Sequence, residues 1–207
     1  MKKDKLLIMG AGGHGKVVAD VAIQMDRWEE ISFLDNNLDL TEVLELPVID
    51  VIEKLDKYVE SHEIFIAIGD NKIRKELFQQ LILKKATIPT LIHPSAVIGT
   101  DVSIKRGTVV MAGVVINSSV AIDEGSIINT SATIDHDCYI HKFVHISPGV
   151  HIAGNVTIYA ETWVGIGSVI KNNLTIAKNV IIGAGAVVVR AIEKSGTYIG
   201  IPARRVY

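Results

Sequence analysis

Four of the seven histidines in this 207-residue chain fall within sixteen residues: His136, His141, His145 and His151. Imidazole titrates near neutrality, so it is the usual proton acceptor for an attacking amine or hydroxyl. His136 has the best setting for that role, in the stretch Ile134-Asp135-His136-Asp137-Cys138. A neighbouring carboxylate orients an imidazole, fixes its tautomer and favours its protonated form. Asp137 is the candidate partner, although its place also suits a sharp turn, and Asp135 reads as solvated surface. Cys138 is the single cysteine, so no disulfide framework and no cysteine metal cluster is open to the chain, and a reducing cytoplasm is the expected setting.

A second chemical signal lies near the start. Gly10-Ala11-Gly12-Gly13-His14-Gly15 fits G-x-G-x-x-G between a short apolar run and a helical pattern, and Asp35 lies twenty residues after Gly15. Glycines there let backbone N–H groups approach a diphosphate at a helix N-terminus, with the acidic residue toward a ribose or base. Three readings fit: an NAD-dependent dehydrogenase, a purely structural turn, and a nucleotide-diphosphate-sugar site. A half fold of about 90 residues lacks the second mononucleotide half a dehydrogenase uses, and the nucleotide-sugar reading is preferred. His14 is able to contact phosphate, or to be a solvated turn residue.

The elements that must position these groups have two periods. Up to residue 90, strands (Leu6–Met9, Ile31–Leu34, Ile64–Ile68) alternate with helical patterns (Lys16–Met25, Ile49–Val59, Lys72–Lys84), which predicts a parallel sheet with crossover helices, half of a doubly wound fold. From Ile92 to Val188 every sixth residue is Ile or Val, and the fifth position of each hexad is small or apolar. The fourth is Gly, Asn or Asp eleven times in sixteen, as at Gly107, Gly125 and Asn173, residue types that tolerate the positive φ of a corner. Hexapeptide repeats of this kind form parallel β-helices. None of the four histidines takes an inward position, so all are expected on corners or outer faces.

In the hexapeptide-repeat proteins that this pattern resembles, three hexads make one triangular coil of left-handed winding. The expected fold class is thus an α/β half-Rossmann domain (1–90) followed by a left-handed parallel β-helix (91–207), with a tail cap at Gly196-Thr197-Tyr198-Ile199-Gly200-Ile201-Pro202-Ala203. His136 and His145 are nine residues apart, half of a coil of about eighteen. They belong to different edges, and only a neighbouring copy brings them together; a trimer with intersubunit sites does so. Zinc is the rival reading for His136 and His141, by resemblance to the trimeric carbonic anhydrases built on the same coil, which bind zinc with three histidines. That resemblance implies a further histidine about two coils upstream, where positions 100 and 105 are Thr and Lys and His93 is out of register; no metal is expected.

Bulk properties narrow the class. Net charge is −2, which does not favour a nucleic acid. Hydrophobic residues make up 48% and aromatics only 5%, an aliphatic core suited to strands. Met1 to Lys5 look like a leader's basic start, but the apolar run after them is too short, and no window reaches the roughly 18 apolar residues of a membrane span.

Together these residues make the chain similar to the bacterial hexapeptide-repeat sugar acyltransferases. The likeness is closest to UDP-4-amino-sugar N-acetyltransferases and more distant to sialic acid O-acetyltransferases. It rests on the glycine loop, Phe33-Leu34-Asp35, Ile66 to Asn71 with Arg74-Lys75, Leu91 to Ala96, Asn129-Thr130-Ser131, His136, His145, Ala153-Gly154-Asn155-Val156 and the tail. The resemblance implies acetyl-CoA as cosubstrate and a UDP-amino sugar as acceptor. It makes His136 the general base and Asp137 its carboxylate, a position often Glu in relatives. Asn129 falls near the sugar amine and His145 near the thioester. Gly10, Gly12, Gly13, His14, Gly15, Asp35, Asn36 and Gly69 fall to the nucleotide sugar; Gly154, Gly165, Gly167, Gly183, Gly185 and Pro202 fall to CoA. A hydroxyl acceptor and a non-catalytic nucleotide-sugar scaffold are the alternatives.

Overall fold

The computed structural model describes residues 4–206, so Lys2 and Lys3 of the leader-like start lie outside the described residues. Contacts divide the chain into two compact units between Pro94 and Ser95. In the first, β1 (Lys5–Met9), α1 (Gly13–Met25), β2 (Glu30–Leu34), β3 (Glu42–Val43), β4 (Leu46–Asp50), β5 (Glu63–Ile66) and α2 (Asn71–Leu83) follow in order. The sheet order is β3-β4-β2-β1-β5. The β4-β2, β2-β1 and β1-β5 pairs are parallel, so crossovers connect the central strands. Leu6 to Met9 in the central β1 have no exposed surface, as a strand covered on both faces requires. Asp70 starts α2 by accepting from the Ile73 N–H at 2.9 Å.

One expected helix is absent. The stretch from Ile49 to Val59 forms the end of β4 and a 3-10 turn, Ile52–Lys57. Pro47 suits this edge of the sheet, where β3 and β4 form a hairpin turned by Leu44 and Glu45 at φ 54° and 61°. Asp50 then holds the chain, accepting from Val51 N at 3.0 Å and from the Lys57 ammonium at 2.8 Å.

The second unit is a triangular parallel coil. Every sixth residue from Asp101 to Gly185 sits at φ between +55° and +70°, and these are the corners. Strands stack eighteen residues apart, as in Thr133↔His151 and His145↔Trp163, into three faces. The valine face carries Val97–Ile98, Val115–Ile116, Thr133–Ile134, His151–Ile152, Val169–Ile170 and Val187–Val188. The tyrosine face carries Ser103–Ile104, Ala121–Ile122, Tyr139–Ile140, Thr157–Ile158 and Thr175–Ile176. The tryptophan face includes Val109–Val110, Ile127–Ile128, His145–Ile146, Trp163–Val164 and Val180–Ile182, and the tail extends it with Gly196–Ile199 and Arg204–Arg205.

Inward Ile and Val are fully buried through the middle coils. Ile98 in the opening coil stays 38% exposed, because that coil has a neighbouring coil on one side only. Inward hydroxyls find carbonyls: Thr108 donates to Asp123 O at 3.0 Å, Ser126 to His141 O at 3.0 Å and Thr162 to Ala177 O at 2.8 Å.

Candidate active site

The glycine loop follows β1 at the carboxyl end of a parallel sheet, where open α/β sheets bind ligands. Its glycines do different things. Gly10 has φ +100°, and a Cβ on Gly15 would lie 2.0 Å from the Gly10 carbonyl oxygen. Nothing lies within 4 Å of a Cβ built on Gly12, Gly13 or Gly69, so this backbone faces open space. Gly15→Ala is therefore expected to disrupt the first unit, read as loss of its cooperative thermal transition, while Gly12→Ala leaves that transition in place.

Asp35, expected toward a ribose or base, clamps the loop. Its carboxylate accepts from Ala11 N at 2.7 Å and from Asn37 N at 2.9 Å. Asn36 caps the 3-10 turn, accepting from Ile52 N at 3.0 Å and donating to Glu53 Oε1 at 3.2 Å. His14 is not a solvated turn residue. It lies in the first turn of α1, and burial, with the Arg74 guanidinium as a lesser cause, lowers its pKa to about 4. At physiological pH its imidazole is therefore neutral, a hydrogen-bonding group and not a cation. Arg74 is 2% exposed and donates to the carbonyls of Ile68 and Gly69 at 3.0 and 2.9 Å, holding the open Gly69 turn in place.

In the coil, His136 occupies the corner between the valine and tyrosine faces, and its side chain is 57% exposed. Its Nδ1 lies 2.7 Å from Asp137 Oδ2, and this bond, with the Asp135 charge second, raises the imidazole pKa above its ordinary 6.5. Asp137 itself is a corner residue at φ 60°, so it fills the turn and serves the histidine at once. Asp135 is not plain surface. One of its oxygens accepts from His136 N at 2.9 Å and from Asn117 Nδ2 at 2.8 Å, fixing the backbone that carries the imidazole. The ring lies over Gly154, one coil on: a Cβ there would be 2.6 Å from both Cε1 and Nε2 of His136. With Asp137 accepting the Nδ1 proton, Nε2 presents the lone pair a base needs.

His145 differs from the accessible residue expected, being 8% exposed. Its ring stacks on Trp163 at 5.3 Å between centroids and 7° between planes, and Trp163 Nε1 donates to Ser147 Oγ at 2.8 Å. Asn129 Nδ2 lies 3.4 Å from His145 Nε2. These residues begin a groove of about 450 Å³ that runs up the tryptophan face past Pro148, Gly165, Ile166, Gly183 and Ala184. Along one column the side chains shrink from Asn129 and Ser147 to Gly165 and Gly183. A Cβ on Gly165 would meet the Ile182 oxygen at 2.6 Å, and one on Gly183 would meet Ile199 Cγ2 at 2.6 Å. Gly167 and Gly185 are corners at φ +65°, which accounts for glycine there, and Pro202 lies exposed in the tail.

The coil thus separates the two histidines: one sits at the valine–tyrosine corner, the other on the opposite tryptophan face. His141 joins neither. It stacks between Tyr139 (4.2 Å) and Tyr159 (4.5 Å) on the tyrosine face, with its Nδ1 3.8 Å from Asp123. His151 Nδ1 lies 2.9 Å from Thr133 Oγ1 on the valine face. Among the described residues no group of three or more His, Cys, Asp or Glu side chains is placed to hold a metal ion. No described helix is long and apolar enough to cross a membrane. Trp163 and Ser147 escaped the sequence reading, although Trp163 stands eighteen residues after His145 and so directly above it.

A family model described as the PglD N-terminal domain matches residues 5–81. UDP-N-acetylbacillosamine N-acetyltransferase of Bacillus subtilis (strain 168) is 34% identical over 110 residues, covering 51% of this chain and 50% of that protein. The chain thus spans about half the length of that curated relative. The acetyltransferase domain of PglB from Neisseria gonorrhoeae FA1090 is 39% identical, with 99% of this chain and 100% of that one covered and a TM-score of 0.95. The same domain has been solved with acetyl coenzyme A, with a TM-score of 0.96. PerB from Caulobacter crescentus, solved in complex with CoA and GDP-perosamine, is 34% identical over 98% of this chain and 97% of that one, with a TM-score of 0.92.

Proposed function

We infer the activity from one premise: the chain belongs to the bacterial hexapeptide-repeat sugar acyltransferases. Its reaction is transfer of the acetyl group of acetyl-CoA to the 4-amino group of a UDP-linked amino sugar, in glycan biosynthesis. The observation that carries this is an exposed imidazole held by a carboxylate at 2.7 Å. In the same unit, a groove of about 450 Å³ suits a long thiol ester.

The amine nitrogen attacks the thioester carbon. His136 Nε2 takes the amine proton, the C–S bond breaks, and the proton passes to the departing thiolate. Asp137 holds the imidazole in the accepting tautomer and stabilises the imidazolium. His145, with backbone N–H groups, steadies the oxyanion. A thioester is already activated, so placing the two reactants supplies most of the acceleration. The open backbone at Gly12, Gly13 and Gly69 holds the diphosphate at the start of α1.

His136 and His145 work together only when two copies of the chain contribute, which a homotrimer with three intersubunit sites provides. The test of the acceptor is CoA release from acetyl-CoA with UDP- and GDP-linked 4-amino sugars, free sialic acid and no acceptor. Release with UDP-linked 4-amino sugars is expected. Release with sialic acid alone contradicts the amine reading, and binding without release contradicts catalysis.

The pH dependence has a defined sign. Asp137 raises the His136 pKa, and a general base works deprotonated, so the acidic limb of kcat/KM lies above the pKa of free imidazole. Asp137→Asn removes the largest cause of that rise. The limb is expected to move to lower pH and the plateau to fall, in a pH profile of kcat/KM. A limb that stays in place contradicts the pairing.

A further inference from the structure

The open backbone of the first unit is uncharged, and a diphosphate is an anion. We propose that Arg74, buried beneath the Gly69 turn, is the positioning residue for that anion: its guanidinium aims two backbone N–H groups at the ligand and stands behind them as a full positive charge. The inference rests on the nucleotide-sugar reading above. β1 and β5 are neighbours and parallel, so the loops that follow them leave the same edge of the sheet side by side. They touch: a Cβ on Gly10 would lie 2.7 Å from Ile68 Cδ1 and 3.1 Å from the Ala67 carbonyl oxygen. The starts of α1 at Gly13 and α2 at Asn71 therefore share that edge, each with about half an elementary positive charge.

Arg74 Nη1 donates to the carbonyl oxygens of Ile68 and Gly69 at 3.0 and 2.9 Å, and Nη2 donates to Asn71 Oδ1 at 2.6 Å. The peptides that follow Ile68 and Gly69 are trans, and in a trans peptide the N–H points opposite to the C=O. Both carbonyls point at the buried guanidinium, so the N–H groups of Gly69 and Asp70 point away from it. Each peptide thus stands between the cation and the ligand with its dipole aligned, which strengthens the bond its N–H donates. Burial lowers the Arg74 pKa to about 9, so the side chain is still a cation at neutral pH. Its field is not lost to water as that of a surface charge is: Lys16 and Lys72, in the first turns of the two helices, are exposed and screened. His14 is neutral and adds no charge. The carboxylate that acts on Arg74 is Asp70, the exposed cap of α2.

The test is calorimetric binding of UDP and UMP to the whole chain at several salt concentrations, with GDP and GMP as the pair if the wild type prefers guanine. Arg74→Gln is expected to weaken UDP about tenfold or more, to weaken UMP less, and to flatten the salt dependence of UDP binding. In turnover, the KM for the nucleotide sugar rises while kcat and the KM for acetyl-CoA hold. A clamp that only shapes the loop would weaken UDP and UMP alike and leave the salt dependence as it was; that result overturns the proposal. If Arg74→Gln fails to fold, Asp70→Asn carries the test. Asn caps a helix as well as Asp does, and its neutral side chain no longer offsets Arg74, so UDP is expected to bind tighter and UMP to gain less. Unchanged binding in that variant overturns the proposal too. A wild type that binds neither UDP nor GDP defeats the nucleotide reading and this inference with it. A wild type that binds UDP no better than Arg74→Gln does defeats this inference alone.

Discussion

Replacing His136 by Ala is expected to lower turnover by about 10² to 10⁴, the usual contribution of a positioned general base. The fold should not change. The ring stands at a corner with 57% of its surface in water, so its removal opens no cavity in the coil. Acetyl-CoA should bind the variant as it binds the wild type, because His136 is not among the residues that line the groove. Single-turnover rates at several pH values check this. The residual activity should lose its acidic limb together with its magnitude, since the titrating group is gone. Turnover within a few-fold of the wild type would remove His136 from the mechanism.

Gly154→Ala makes the second large change while every titrating side chain stays in the sequence. The added methyl would sit 2.6 Å from the Cε1 and Nε2 atoms of His136, closer than a Cβ tolerates. The ring is exposed and swings aside at little cost in stability, but Nε2 then leaves the place in which the proposed mechanism uses it. Misplacement of about 1 Å costs on the order of 10²-fold in rate. We expect that loss in kcat, with the affinity for acetyl-CoA preserved and the thermal midpoint nearly unchanged. A rise in the Michaelis constant for acetyl-CoA with kcat intact would show instead that this glycine serves the cosubstrate directly.

The coil was legible in the sequence because its constraint is local. A corner every six residues asks for positive φ, and the residue types that tolerate it recur at that interval. Even where they do not, as at Phe143 (φ 56°) and Glu161 (φ 62°), the flanking inward aliphatics keep the register. The pairing of His136 with Asp137 was legible for the same reason: the carboxylate is the next residue. What lies across a coil was harder to see. Trp163 over His145 and Gly154 against His136 are each eighteen residues away, and the sequence does not say which way a ring leans.

The first unit was less transparent. Ile49 to Val59 carries helical spacing, but Asp50, by holding Val51, Lys57 and Tyr58, favours a strand and a tight turn instead. Asp35 had the right distance from the glycine loop for a ribose, and in the structure its two oxygens accept from the backbone N–H groups of Ala11 and Asn37. Spacing located that carboxylate and left its partner open.

The most direct test of the account is to co-express His136→Ala with His145→Ala chains, each inactive alone, and to count working sites. If one copy supplies His136 and the next supplies His145, every mixed trimer carries one intact site in three. Random mixing in equal amounts makes about three-quarters of the trimers mixed, so about a quarter of the wild-type activity should return. If both side chains serve the same site from one polypeptide, no trimer regains an intact pair, and activity stays at the level of the separate variants.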